Sequence, residues 1–191
     1  MGSFYTNITL KTTDTDRVEG AVRQARRVAL IAPPDHGCTV VFDEASDSQD
    51  TEVLQALAMH LSRACKCPAL AVLNHDDDLL AYLLYDGGKL VDDYNSAPSY
   101  FDEAADPGAP PTGGDAQRLS TIFGVSARAA DVERILRAPT GTDDGFVFAT
   151  ERHHELTEVL GIPGFAAGTG YNYVEEGEVP DGLDAAALRR V

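Results

Sequence analysis

From residue 4 to residue 11 apolar and polar side chains alternate, with Ile8 and Leu10 on one face, the period-two signature of a strand with one buried side. The period then lengthens. Val18, Ala21, Val22 and Ala25 recur at helical spacing behind Asp16, which has Glu19 three residues on in the manner of a capping box. A short apolar run at 28–32, a turn at 33–37 and a β-branched run at 39–42 predict two further strands. Leu54, Leu57, Ala58, Leu61 and Cys65 then form one helical stripe starting from Asp50 and closed by Pro68, and residues 69–73 follow as a fourth strand. The predicted order is βαββαβ, a ferredoxin-like or split-βαβ arrangement.

Two turn signals extend that sheet. His75-Asp76-Asp77-Asp78 separates two apolar runs, and Asp86-Gly87-Gly88-Lys89 supplies glycines for a tight hairpin pairing 79–85 with 89–94. Residues 79–85 are apolar on both alternating sets, so that strand is expected to be covered on both faces. The stretch 102–114, rich in proline and glycine, reads as a linker. Beyond it the spacing of Leu119, Ile122 and Phe123, then of Val132, Ile135 and Leu136, predicts two short helices. A third covers 146–160, with Gly161 and Pro163 as stop signals. This segment is the candidate cover for the second sheet face. A glycine-rich loop follows, with a short strand expected around Tyr171 and Tyr173, and the last ten residues are expected to be mobile. The expected fold is therefore α+β. An antiparallel sheet domain spans 1–101, with a ferredoxin-like start extended by a hairpin; a linker spans 102–114, and a helical segment with a C-terminal strand spans 115–191.

Charge narrows the classes of partner. The chain carries 31 acidic against 15 basic side chains, a formal net charge of -16, and its one basic cluster is Arg23, Arg26 and Arg27 on a predicted helix. Such a surface repels phosphates and lacks the basic stripe that nucleic-acid binding needs, so nucleic acid is set aside and a basic protein partner fits better. No apolar stretch approaches the roughly 20 residues of a membrane span, which points away from a membrane and to the cytoplasm. An odd count of three cysteines suits a reducing compartment, with Cys65-Lys66-Cys67 read as one buried thiol and one turn residue.

Catalytic signatures are missing where they would be sought. Gly124-Val125-Ser126-Ala127-Arg128 lacks the second glycine of an esterase elbow. Gly164, Gly168 and Gly170 are followed by no lysine of a phosphate loop, and no cofactor motif is found. Three clusters remain. His75 with Asp76 and Asp78 offers oxygen and imidazole ligands for a weak hard-cation site, although the same residues also favour a hairpin turn. In Glu151-Arg152-His153-His154 the wheel places His154 toward solvent and His153 among apolar neighbours, as a hydrogen-bonded core residue or a pocket residue. Asp92, Asp93, Tyr94, Tyr100 and Phe101 set aromatics beside carboxylates, the composition of a protein-binding patch. The leading expectation is a non-enzymatic cytosolic binding or regulatory protein. The alternative is a small metal-binding protein or hydrolase-like enzyme using His75, Asp76, Asp78 and His153.

The run from Val72 to Phe101, with its Asn-His-Asp-Asp-Asp turn, its Tyr-Asp-Gly-Gly hairpin and its Tyr-Asn-Ser-Ala-Pro-Ser-Tyr-Phe end, resembles a group of uncharacterised bacterial proteins of similar length. The Glu-Arg-His-His and Gly-Tyr-Asn-Tyr segments look like the same group. The resemblance implies a bacterial origin and carries no activity or functional residue with it.

Overall fold

The computed structural model describes residues 2–101, 106, 109–141 and 145–191. In chain order its elements are β1 (Tyr5–Leu10), α1 (Thr15–Gln24), β2 (Ala29–Ile31), β3 (Thr39–Asp43), α2 (Thr51–Cys65), β4 (Ala69–His75), β5 (Leu79–Asp86), β6 (Lys89–Asn95), β7 (Thr112–Gly113), α3 (Ala116–Phe123), α4 (Ala129–Arg137), α5 (Ala149–Leu160), α6 (Tyr171–Glu175) and β8 (Arg189–Arg190). The fold is α+β. All eight strands form one sheet, ordered β7-β6-β5-β4-β1-β3-β2-β8, and each neighbouring pair is antiparallel.

Helices lie on both faces. On one, α1 and α2 bury Val18, Val22, Leu54, Leu57 and Leu61 against Ile8, Leu10, Val41, Ala71 and Leu73. On the other, α3 to α6 bury Leu119, Phe123, Ile135, Leu156 and Val174 against Leu70, Val72, Leu80, Tyr82 and Leu84. Strand β1 is accordingly buried along its whole length, where alternation had predicted one buried side. Its second face carries Tyr5, Asn7 and Thr9, and the covering layer supplies His153 to the Tyr5 hydroxyl and the Ala166 and Thr169 carbonyls to Asn7 Nδ2. At the 79–85 to 89–94 hairpin, Gly87 and Gly88 take φ values of 57° and 79°. A Cβ on Gly88 would also meet Arg63 at 2.8 Å, so the turn needs glycine twice over.

Several local expectations are corrected. The N-cap of α1 is Asp14, which accepts from Arg17 N at 3.1 Å, not Asp16; Glu19 instead accepts from Arg23 and Arg189. Cys67 is buried like Cys38 and Cys65, because the chain folds back under α2 and Ser62 Oγ donates to the Cys67 carbonyl at 2.8 Å. Tyr171 and Tyr173 lie on the short helix α6 and not on a strand. The last residues form an edge strand, as Ala29 and Val191 exchange backbone hydrogen bonds at 3.1 and 3.0 Å and so satisfy the outer edge of β2. Within the expected linker, residues 102–105 and 107–108 lie outside the described residues, whereas Thr112 and Gly113 pair with Asn95 and Tyr94 as β7.

Candidate functional site

The Asp76–Asp78 turn between β4 and β5 is the point where distant parts of the chain meet. Asp76 and Asp77 take positive φ of 52° and 59°, a conformation that aspartate tolerates better than most residues. Asp76 accepts from Gly2 N at 3.1 Å, and Asp77 Oδ2 accepts from Ser3 Oγ at 3.1 Å. From the far end of the sequence, Ala149 N donates to the Asp77 carbonyl at 2.6 Å, and the Thr150 hydroxyl donates to Oδ1 of the same residue, which also accepts from Asn74 Nδ2 at 3.1 Å. Burial pushes the Asp77 carboxyl upward, but the hydrogen bonds from Thr150, Asn74 and Ser3 together outweigh it and hold the group below the usual carboxylate range. Asp77 is thus the staple of the turn, and Asp76 and Asp78 flank it.

Around this staple lies an aromatic cluster. The His75 ring contacts Phe4 at 4.9 Å, Phe101 at 5.0 Å and Tyr100 at 5.6 Å between centroids, each edge to face, and Tyr100 meets Phe101 at 4.9 Å. His75 Nδ1 lies 3.2 Å from Gln49 Oε1. Phe4 is 39% exposed and Phe101 71%. Val147 and Phe148, also exposed, immediately precede the Ala149 N–H bonded to the turn. Of the nine large apolar side chains exposed among the described residues, Phe4, Tyr100 and Phe101 meet around His75, while Val147 and Phe148 are tied to the same turn only through the backbone of Ala149. The Tyr100 phenol is raised by partial burial and by the neighbouring carboxylates of Asp78 and Asp76.

The register carries this surface onto the open side of the sheet. His75, Leu73 and Ala71 alternate on the face that bears α2, opposite Leu79, Ala81 and Leu83 of β5, and Asn95 and Asp93 of β6 continue the same rows. Because α2 sits over β4 and β5, a groove of about 240 Å³ remains between Thr51, Leu54 and Gln55 of that helix and Ala81, Leu83, Asp93 and Asn95 of the sheet. The groove begins one strand position pair away from His75.

The expected patch of Asp92, Asp93, Tyr94, Tyr100 and Phe101 is therefore divided. Tyr94 is buried on the opposite face, stacked 5.3 Å from Tyr82, and its hydroxyl donates to the Leu136 carbonyl at 2.9 Å. Asp92 faces that side too, accepting from Tyr82 Oη at 2.7 Å and Asp115 N at 2.9 Å. Alternation along β6 sends neighbouring side chains to opposite faces, and a bulge beside Leu84 and Tyr85 adjusts the register. Asp93 stays exposed at the groove, while Tyr100 and Phe101 join His75. Two clusters that looked separate in the sequence thus share one surface, and the residues that reasoning from sequence missed are Phe4, Val147 and Phe148. Their signal was an apolar residue ahead of the first strand and a run that overshot the helix start.

His153 is elsewhere, in a buried polar cluster between β1 and α5. The Tyr5 hydroxyl lies 2.8 Å from its Nδ1, and the two rings stack at 5.8 Å. Burial, then the neighbouring His154, lowers His153 to about 3, so the ring is neutral. Burial raises Tyr5 to about 12. Asn7 Nδ2 donates to the carbonyls of Ala166 at 2.6 Å and Thr169 at 3.0 Å, tying the glycine-rich loop to the sheet. Gly170 packs where a Cβ would lie 2.4 Å from Asp47 Oδ1, an approach that lets Asp47 accept from Asn172 N at 2.8 Å. Beside His153, Arg152 is wholly buried and donates to the carbonyls of Ile135, Ala138 and Pro139 at the end of α4, with its guanidinium 4.7 Å from the Phe146 ring centroid.

His154 is exposed in a wide depression of about 600 Å³ shared with His36, Glu151 and Glu158. Among the described residues no group of three or more histidine, cysteine, aspartate or glutamate side chains is arranged to hold a metal ion, and no helix is long and apolar enough to cross a membrane. No family model, curated protein or solved structure matches the chain.

Proposed function

We propose that this is a non-enzymatic binding or regulatory protein of a bacterial cytoplasm whose docking surface is the aromatic end around His75, continued by the groove along β5 and β6. Its partner is a basic protein. The first four strands with α1 and α2 are read as a ferredoxin-like unit that β5 to β8 widen. The observation that carries the reading is the gathering of three exposed aromatic side chains, Phe4, Tyr100 and Phe101, around His75 and beside Asp76 and Asp78 on a chain of net charge -16. Contiguous apolar surface with a polar rim is the usual anatomy of an interaction site, and aromatic side chains dominate its energetics. The alternative that joins His75, Asp76, Asp78 and His153 in one catalytic or metal site is weaker. His75 is enclosed by aromatic rings with Nδ1 on Gln49, whereas His153 is sealed against Tyr5.

The test is binding of a ten-residue arginine peptide, followed by fluorescence anisotropy at low and high salt. Attraction to the acidic surface is screened beyond roughly 8 Å at physiological ionic strength, so affinity falls as salt rises. Two variants remove equal charge: Asp76→Asn with Asp78→Asn at the aromatic end, and Glu176→Gln with Glu178→Gln on the exposed loop after α6. The reading expects the first pair to weaken binding by about tenfold and the second by less than about twofold. Equal losses, or binding indifferent to salt, overturn it.

A further inference from the structure

We infer that the aromatic end contains a seat for one arginine side chain of the partner, formed by the exposed ring of Phe101, the Tyr100 ring and the Asp78 carboxylate. The inference rests on the binding reading above and names what that surface recognises.

The charge pattern points there first. Several exposed carboxylates are matched by the chain's own arginines: Asp16 and Glu19 by Arg189, Asp131 by Arg128, Glu133 by Arg137, Glu155 by Arg134 and Glu175 by Arg190. Of the carboxylates that form no ion pair among the described residues, Asp76 and Asp78 are the ones set beside the aromatic cluster, where the Tyr100 hydroxyl meets the Asp78 carboxylate. Ring faces are the second element. An aromatic face attracts a cation within about 6 Å of its centroid, and among the described residues such contacts are made by Lys11 over Phe123 and Arg152 over Phe146. Among the described residues no cation covers Phe101, which is 71% exposed. Its edge-to-face contacts with His75 at 71° and Tyr100 at 86° hold the ring in place.

A planar guanidinium suits this pairing better than an ammonium, because it can lie on a ring and still direct N–H groups into a carboxylate. A second copy of the chain is a poor occupant, since it would bring another charge of -16 against the first.

The probe is N-acetyl-arginine amide, titrated while the ring resonances of Tyr100, Phe101 and His75 are followed by NMR, with N-acetyl-citrulline amide as the neutral isostere. Saturable shifts with the arginine compound, an upfield shift of its δ-methylene protons from the ring current, and little response to citrulline support the seat. Phe101→Leu and Asp78→Asn should each weaken binding about fivefold, and Phe101→Tyr should retain it. Both positions are exposed, so the variants fold. Equal binding of citrulline, unchanged binding to Phe101→Leu, or no response to either compound overturns the seat. These outcomes leave the arginine-peptide result untouched: if that peptide still distinguishes the two charge variants, the docking surface stands without a single-residue seat.

Discussion

Toward α1 and α2 the sheet presents Ile8, Leu10, Val41, Ala71 and Leu73; toward α5 and the loop beyond it, the same strands β1 and β4 present Tyr5, Asn7 and Asn74. The first face is held by apolar burial, which is non-directional and tolerates small shifts. The second is held in part by directional bonds from buried polar groups to backbone carbonyls 13 to 17 positions away for Arg152 and about 160 away for Asn7. The difference follows from how each cover arrives. Helices α1 and α2 come from the same chain segment as the strands they cover and need only matching stripes. The later layer docks from far along the sequence, and its loops bring unpaired carbonyls that must be met inside the core.

The largest expected effect breaks the second face. Arg152→Met removes the guanidinium that serves the Ile135, Ala138 and Pro139 carbonyls, and urea unfolding should show a loss of about 3–5 kcal/mol. A loss below about 1 kcal/mol would mean that water replaces the arginine and that apolar contacts alone hold the layer. On the first face, Leu61→Ala should cost about 3 kcal/mol through lost burial and the remaining cavity. Since the two sites share no partner, the double variant should lose the sum within about 0.5 kcal/mol. A larger discrepancy would show that the two faces fold as one coupled network.

Acid sharpens the contrast. His153 is lowered to about 3 in the folded protein, so between roughly pH 6.5 and that value the unfolded chain binds a proton that the folded chain refuses. The stability present above the unfolded value is therefore lost as pH falls, by about 2 kcal/mol at pH 5 for this group. Chemical denaturation across that range should show the slope in the parent and a shallower one in His153→Gln; identical slopes would show that other groups carry the acid response. The smallest effect lies outside both faces. Phe101→Ala should change stability by no more than about 0.5 kcal/mol, because the ring is 71% exposed, yet it should weaken the arginine peptide. A large stability loss would make Phe101 a structural residue and not a recognition one.

The amino-acid pattern by itself determined the strands and helices of the first ninety-odd residues, the glycine hairpin, the burial of 79–85 on both sides and the placement of His153 among apolar neighbours as a hydrogen-bonded core residue. Each is a consequence of local periodicity or turn chemistry, which a linear sequence records directly. Tertiary structure alone decided that Tyr94 and Asp92 face away from Asp93, because strand register and the bulge at Leu84 and Tyr85 depend on the neighbouring strand. It also turned Tyr171 and Tyr173 into a helix and the last residues into an edge strand, where pairing with β2 outweighs any local signal. The aromatic end is the clearest case. Phe4, His75 and Phe101 are spread over half of the chain, and they meet where Asp77 binds Ser3, Asn74 and Thr150 at once, a convergence of hydrogen bonds that no local spacing encodes.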